Sequence, residues 1–309
     1  MAQYEKAKAE WEKAYDGYVF LGERRGEVEM LNNLGLLASS IGNHDLGLAF
    51  LSESLIMTQI DGFKKEEALT LNNLGTIHYD QEKYEEAWGY FTKSLTIYQE
   101  LKDKKGEASA LNNLASVAQT TGKYETALIY LQKSLELKQS LRQAAESAPT
   151  LNNLSQLFFA RGENEQAISY LFESLKITRK IGDRKGEGIA LGNLSRIYLH
   201  TGKYEPALES LKQSLAIARE IGKPYEIAVA LHNQAAILFQ QMNQTEYALP
   251  LFLEALSLFQ QADSPKSSRT KSFLTDLHQQ LGSTRFQQLV SEWQTTHPEF
   301  APLDLDLEL

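Results

Sequence analysis

Cysteine is absent from all 309 residues, which excludes disulfides, thiolate nucleophiles and cysteine-ligated metal. No apolar run approaches the ~18 residues that a bilayer span needs. The first residues, Met1-Ala2-Gln3-Tyr4-Glu5-Lys6, lack the apolar core of a secretory signal and are already amphipathic. From these absences we expect a cytoplasmic protein without a membrane partner. An excess of cations is missing too: 31 Lys and Arg against 40 Asp and Glu leave a formal charge of −9. That balance opposes general binding to nucleic acid, whose affinity comes mostly from Lys and Arg neutralising phosphates. No Gly-rich phosphate loop, His-Glu-x-x-His pair or Gly-x-Ser-x-Gly elbow occurs, so we expect no enzyme, no catalytic residue, no cofactor and no metal.

What is present is repetition. Leu31-Asn32-Asn33-Leu34 returns as Leu71-Asn72-Asn73-Leu74, Leu111-Asn112-Asn113-Leu114 and Leu151-Asn152-Asn153-Leu154, then more loosely as Leu191-Gly192-Asn193-Leu194 and Leu231-His232-Asn233-Gln234, each step being 40 positions. A second anchor comes after each, as Tyr84-Glu85-Glu86-Ala87, Tyr124-Glu125-Thr126-Ala127 and Tyr204-Glu205-Pro206-Ala207, with a slipped last copy at Tyr247-Ala248-Leu249. Length alone suggests two globular domains, but the repeats overrule that count. Leu71, Leu74, Gly75 and His78 share one helical face, as do Ala87, Phe91, Ser94 and Leu95 after a turn, so each unit is two helices. Gly42, Gly122, Gly162 and Gly202 mark the turns, and Glu27, Glu67, Glu107 and Glu187 fall in the first turn of a helix, at its positive end.

In this order the residues resemble the tetratricopeptide repeat family, whose pattern is an aromatic or Leu, then Leu-Gly, an aromatic, and after the turn Ala and Phe. Leu71, Leu74-Gly75, His78, Ala87 and Phe91 fit it, and the resemblance covers roughly residues 4–262. The long repeat is similar to the variety in kinesin light chains and in bacterial peptide-sensing regulators, which suggests a bacterial setting. Armadillo and HEAT repeats have similar length, but the small residues at 35, 75, 115, 155, 195 and 235, followed twelve later by another in all but the slipped last copy, favour the tetratricopeptide pattern. The resemblance implies an all-α fold, a right-handed α-α superhelix in the form of a solenoid.

The expected organisation is a lone helix over 4–21, helix pairs over about 27–61, 67–101, 107–141, 147–181, 187–221 and 227–262, and two capping helices over 263–296. The lone helix aligns with a second repeat helix, which leaves Trp11, Tyr15 and Tyr18 partly exposed, as a cap or as a self-association surface. The tail over 297–309 alternates apolar and acidic residues at Leu303-Asp304-Leu305-Asp306-Leu307-Glu308-Leu309. It reads either as a disordered end or as an extended segment that occupies a groove, its own or a neighbour's.

First helices of a stack line its concave wall. Leu31, Leu34, Gly35 and Ala38 point into the stack at 100° per residue, whereas Asn32 and its equivalents point to the groove. Asn32, Asn72, Asn112 and Asn152 thus form a candidate amide ladder for an extended backbone, while the Asn33 row reads as structural, bonding backbone between repeats. Tyr79 lies in the more polar early groove. Phe159, Arg196, Leu199, His200, His232 and Phe239, with Ile189 and Val229, make its later part the candidate anchor. Arg196 is almost its only cation by this reading, which argues against a Lys and Arg clamp on a peptide's terminal carboxylate.

Three further rows have plain structural readings. Ser54, Ser94, Ser134, Ser174 and Ser214 recur where a small residue permits close helix packing, rather than as nucleophiles. His200 and His232 could approach one another, but no carboxylate accompanies them. The basic pairs Arg24-Arg25, Lys64-Lys65, Lys104-Lys105 and Arg184-Lys185 read as solvated turns balanced by the following Glu, with a ridge for acidic partners or RNA as the functional alternative. The expected function is therefore a non-catalytic scaffold or adaptor that binds a partner peptide or helix in its groove; the alternative is a peptide-sensing regulatory module of a bacterial signalling system.

Overall fold

The computed structural model describes residues 2–141, 144–262, 264–300 and 305, and among these every regular element is helical. In chain order they are α1 (Ala2–Leu21), α2 (Arg24–Ser40), α3 (His44–Asp61), α4 (Lys64–Asp80), α5 (Tyr84–Glu100), α6 (Lys104–Thr120), α7 (Tyr124–Ser140), α8 (Ala148–Ala160), α9 (Asn164–Ile181), α10 (Arg184–His200), α11 (Tyr204–Glu220), α12 (Pro224–Gln240), α13 (Thr245–Gln261), α14 (Lys266–Leu281) and α15 (Ser283–Thr296). No described helix is long and apolar enough to cross a membrane. The chain forms two compact units, Met1–Leu157 and Phe158–Leu309.

The first unit packs α1 on α2 and then stacks the hairpins α2–α3, α4–α5 and α6–α7. Within a hairpin, small faces large. Phe91 of α5 is fully buried over Gly75 of α4, where a Cβ would meet the ring at 2.6 Å, and Leu51 of α3 covers Gly35 of α2 in the same way. Only hydrogen at these positions lets the helices approach so closely, which is why Leu-Gly recurs in the sequence. Ser94 and Ser134 complete the seam by donating to the carbonyls of Ala68 and Ala108, both at 2.7 Å, while Ser54 bonds the side chains of Asn32 and Thr70. Tyr18 lies over Gly26 and holds the end of α1 in place, while Phe20 is 90% exposed. Trp11, Tyr15 and Tyr18 are half-buried.

Most of the described helices end on a residue of positive φ. Gly122 and Gly202 take φ of 76° and 70°, a conformation that costs glycine least. Glu82 (φ 61°) and Lys102 (φ 55°) adopt it without that advantage. The first helix of a pair begins three residues before the acidic position at which the sequence placed it: α2 starts at Arg24, α4 at Lys64 and α10 at Arg184. At α6 and α10 the cause is capping: Asp103 accepts from the backbone N–H of Lys105 and Gly106, and Asp183 from that of Gly186, so these two helices start right after their Asp and take in the basic pair. Glu23 and Phe63, at the same place before α2 and α4, make no side-chain cap bond. The first base of a pair then bonds the Glu three residues on, at 3.0 Å for Arg24–Glu27 and 2.7 Å for Lys64–Glu67. The second reaches the next repeat, at 3.5 Å for Arg25–Glu66, 2.9 Å for Lys65–Asp103 and 2.8 Å for Lys105–Glu146. Exposed pairs such as Lys105–Glu146 contribute little stability each, about 0–1 kcal/mol, whereas the Glu27 and Glu67 carboxylates are themselves buried.

The second unit contains α9 and the hairpins α10–α11, α12–α13 and α14–α15. Its largest core joins Phe252, Leu253 and Leu256 of α13 to Phe273, Leu274 and Leu277 of α14 and to Phe286 and Trp293 of α15. The last two helices thereby cover an apolar face that a further repeat would otherwise bury. Phe300 stacks on Trp293 at 5.4 Å, and Leu305 packs on the same core. The rest of the alternating tail lies outside the described residues.

Candidate functional site

The asparagine rows behave differently from the sequence-based expectation. Asn32 is 3% exposed, and its Nδ2 donates to Ser54 Oγ at 2.8 Å and Thr70 Oγ1 at 2.9 Å. Its Oδ1 accepts from Asn73 Nδ2 at 2.8 Å. The same link recurs as Asn113 Nδ2 to Asn72 Oδ1 at 3.0 Å and Asn153 Nδ2 to Asn112 Oδ1 at 3.1 Å. The two rows thus form one side-chain ladder between successive repeats, and the Asn33 row donates to side chains rather than to backbone. Asn32 and Asn152 are buried and Asn72 and Asn112 half-buried, so the assignment of this row to an open groove is corrected, most firmly at Asn32. The physical reason at Asn32 is that a buried amide needs partners, and the next repeat supplies one; the ladder stops at Asn152, whose buried Oδ1 has no hydrogen-bond partner among the described residues.

Tyr79 is half-buried and its hydroxyl pairs with Thr120 at 2.8 Å across one repeat. His232 is also corrected: it is 8% exposed, ringed by Phe252, Phe259 and Phe273, with Nδ1 at 2.9 Å from Thr270 Oγ1. Burial, reinforced by Arg269 and Lys266, pushes its pKa down to about 4, so the imidazole is neutral at pH 7. Phe239 turns to the carboxy-terminal core, edge-on to Phe273 at 6.5 Å. Phe159 is half-buried, with the Arg196 guanidinium over its ring at 5.3 Å and His200 edge-on at 5.2 Å.

Around Arg196 the second unit opens a cavity of about 690 Å3 between α10, α11 and α12. Arg196 and Leu199 line it, as do Ile189 and Val229. So do Lys185, Lys223, Tyr225 and Lys266, which sequence spacing does not place together. The statement that Arg196 is almost the only cation of this groove is therefore corrected. Gly192 lowers the floor, since a Cβ there would meet nothing within 4 Å; Gly188 also lines the cavity, although a Cβ there would meet Ile217 at 3.2 Å. A readable signal existed, since Gly192 stands where four other copies have Asn, and Gly188 stands where Ala68, Ala108, Ala148 and Ala228 recur.

The family model described as Tetratricopeptide repeat matches residues 66–140 and 146–220, over the helix pairs just described. Over these residues the chain is built of tetratricopeptide repeats. A second model, Anaphase-promoting complex subunit 5, matches residues 197–267 of this repeat protein. No curated protein matches the chain significantly. Among solved structures, its tetratricopeptide fold is similar to that of a signal transduction ATPase with numerous domains and a tetratricopeptide repeat sensor from Pyrococcus horikoshii, at 18% identity and TM-score 0.67. That likeness covers 88% of this chain and 42% of the other. A Rap protein complexed with Competence and Sporulation Factor is similar at 17% identity and TM-score 0.62, over 84% of this chain and 77% of that one. The repeats of a putative kinesin light chain from Podosopora anserina are similar at 16% identity and TM-score 0.51, over 63% and 95%. At these identities the likeness is one of fold.

The repeat framework also accounts for the remaining chemistry-bearing rows. His200 lies against Phe159 while His232 bonds Thr270, so the two histidines have separate surroundings. Among the described residues no group of three or more His, Asp or Glu side chains is placed to hold a metal ion.

Proposed function

We propose that this tetratricopeptide protein is a non-catalytic scaffold that holds a segment of another polypeptide in the cavity between α10, α11 and α12. The cavity itself carries the reading. Its size falls within the range of about 300–1,000 Å3 typical of ligand sites, and apolar Ile189, Leu199 and Val229 lie beside the hydrogen-bonding Asn193, Asn233 and Arg196. The tetratricopeptide repeats support protein binding in general. A cytoplasmic setting, a bacterial source and the absence of catalysis belong to the same proposal.

A second reading, a sensory module whose output responds to a bound peptide, draws support from the fold likeness to a repeat sensor and to a Rap protein held with its factor. Both readings place the guest in the same cavity and differ in the consequence of binding.

Selection of peptides from a phage-displayed random library on the full chain tests the scaffold reading. Gly192→Trp projects an indole into the cavity, since a Cβ at Gly192 meets nothing within 4 Å. Selected peptides are expected to lose at least about tenfold in affinity for this variant. Peptides that bind both forms equally, or a selection that enriches nothing, would overturn the proposal.

A further inference from the structure

We infer that the cavity selects an acidic segment of its partner, one in which carboxylate side chains flank an aliphatic or aromatic residue. This rests on the scaffold reading and gives it a ligand chemistry. Lys185, Arg196, Lys223 and Lys266 line the cavity against the single carboxylate of Glu226. That local excess of three positive charges sits in a chain whose formal charge is −9.

The cations are unpaired, and that separates them from the rest of the array. Arg25, Lys65 and Lys105, the equivalents of Lys185, each reach an acid of the next repeat. Lys185 has no such ion pair among the described residues. Where Asp103 and Asp183 precede α6 and α10, Lys223 precedes α12, so the position at which Lys65 finds Asp103 offers Lys185 a cation. At the position of Glu66 and Glu146 stands Glu226, which lines the cavity but forms no ion pair with Lys185 among the described residues. Lys266 and Arg196 rest on aromatic rings, those of Tyr225 at 5.0 Å and Phe159 at 5.3 Å, so both heads keep their charge free of any carboxylate.

Three departures from the repeat thus coincide in one place. Gly188 and Gly192 remove side chains from the floor, and Lys223 reverses a charge at the rim. Gly188 also lets α11 approach, since a Cβ there would meet Ile217 at 3.2 Å, but Gly192 faces open space and weakens a helix interior without that return. In an array whose other copies repeat a scaffold, departures that converge on one cavity mark a binding site. Open floor takes an apolar side chain, and unpaired Lys and Arg above it take carboxylates on either side.

The test is a fluorescence-anisotropy titration of the full chain with two sets of labelled octapeptides. In one set Asp or Glu alternates with Leu, Ile or Phe; in the other Asn or Gln replaces each acid. The acidic set is expected to bind about tenfold more tightly at 50 mM salt, since exposed ion pairs are worth a few-fold each, and most of that margin should vanish at 300 mM. The double variant Lys185→Glu and Lys223→Glu should abolish or invert the preference while leaving the thermal midpoint unchanged, because both residues are exposed. Equal binding of the two sets would overturn the acidic preference and leave the scaffold reading standing. So would a phage selection whose Gly192-sensitive peptides carry no excess of acids. Saturable binding of inorganic phosphate that displaces the acidic peptides would instead identify a small-anion site and would equally overturn the inference.

Discussion

The Nζ of Lys138 donates to Thr150 Oγ1 at 2.8 Å inside the first unit, where the lysine is only 7% exposed. Equivalent positions hold Thr58, Tyr98, Thr178 and Ala218, so the charge is foreign to its place in the repeat. Desolvation pulls its pKa from 10.5 down to about 8, and the attraction of Glu146 offsets only part of that. Below pH 8 folded and unfolded chains both carry the charge, and the folded state bears the full cost of burying it. Between 8 and 10.5 the unfolded chain holds more protons, so stability from this group rises with pH. Lys138→Met is therefore expected to stabilise the protein by about 1–2 kcal/mol at pH 7, after the lost hydrogen bond is discounted, with the advantage shrinking towards pH 10.5. Thermal midpoints of both proteins across this range check it; a variant less stable at pH 7 contradicts it.

Two glycines in equivalent helices should respond to alanine with opposite signs. At Gly75 the added methyl would strike the Phe91 ring, and Gly75→Ala is expected to destabilise by about 1–3 kcal/mol. At Gly192 the methyl meets open space, and Gly192→Ala should stabilise by about 0.5–1 kcal/mol through helix propensity alone. Urea unfolding midpoints at constant slope decide between them.

Asn32→Ala removes an amide on which Ser54, Thr70 and Asn73 all depend inside the core. The expected loss is about 2–3 kcal/mol, against about 1 kcal/mol for Asn72→Ala, which strips a partner only from half-buried Asn113. Equal losses in chemical denaturation would show that the ladder is not graded by burial.

Arg196→Ala should lower the affinity for library-selected peptides by about tenfold and leave unfolding unchanged, since the guanidinium is exposed and rests on one face of Phe159. Phe159→Ala, which removes the surface that holds that guanidinium, should lower affinity to a smaller extent and also cost stability, because the half-buried ring packs on the core of Leu171 and Leu194. Isothermal titration with one selected peptide reads both; unchanged affinity in either variant removes that residue from the binding surface.

Much of the fold was legible because each copy states it again. Leu31, Leu34, Ala87 and Phe91 repeat at helical spacing, and Gly75 repeats opposite Phe91, so hairpin, turn and seam were readable one unit at a time. The candidate site was legible only in part. Arg196, Leu199, Ile189 and Val229 do meet at one cavity, but His232 and Asn32 turned inward. A wheel of 100° per residue separates neighbouring positions too coarsely to tell a groove wall from the joint between repeats. Lys185, Lys223 and Lys266 come from three different helix starts, and nothing in their spacing along the chain announces that they share a rim.

Sequence alone determined the helical hairpin, its period of 40 and the pairing of small with large residues across it, because these depend on interactions within one repeat and its immediate copy. Tertiary structure decided which amides are spent between repeats and which cations stand unpaired over an open floor. Those outcomes depend on how far each helix is rotated about its own axis when the hairpins stack, and a rotation of a few tens of degrees exchanges a side chain that meets solvent for one that meets its neighbour.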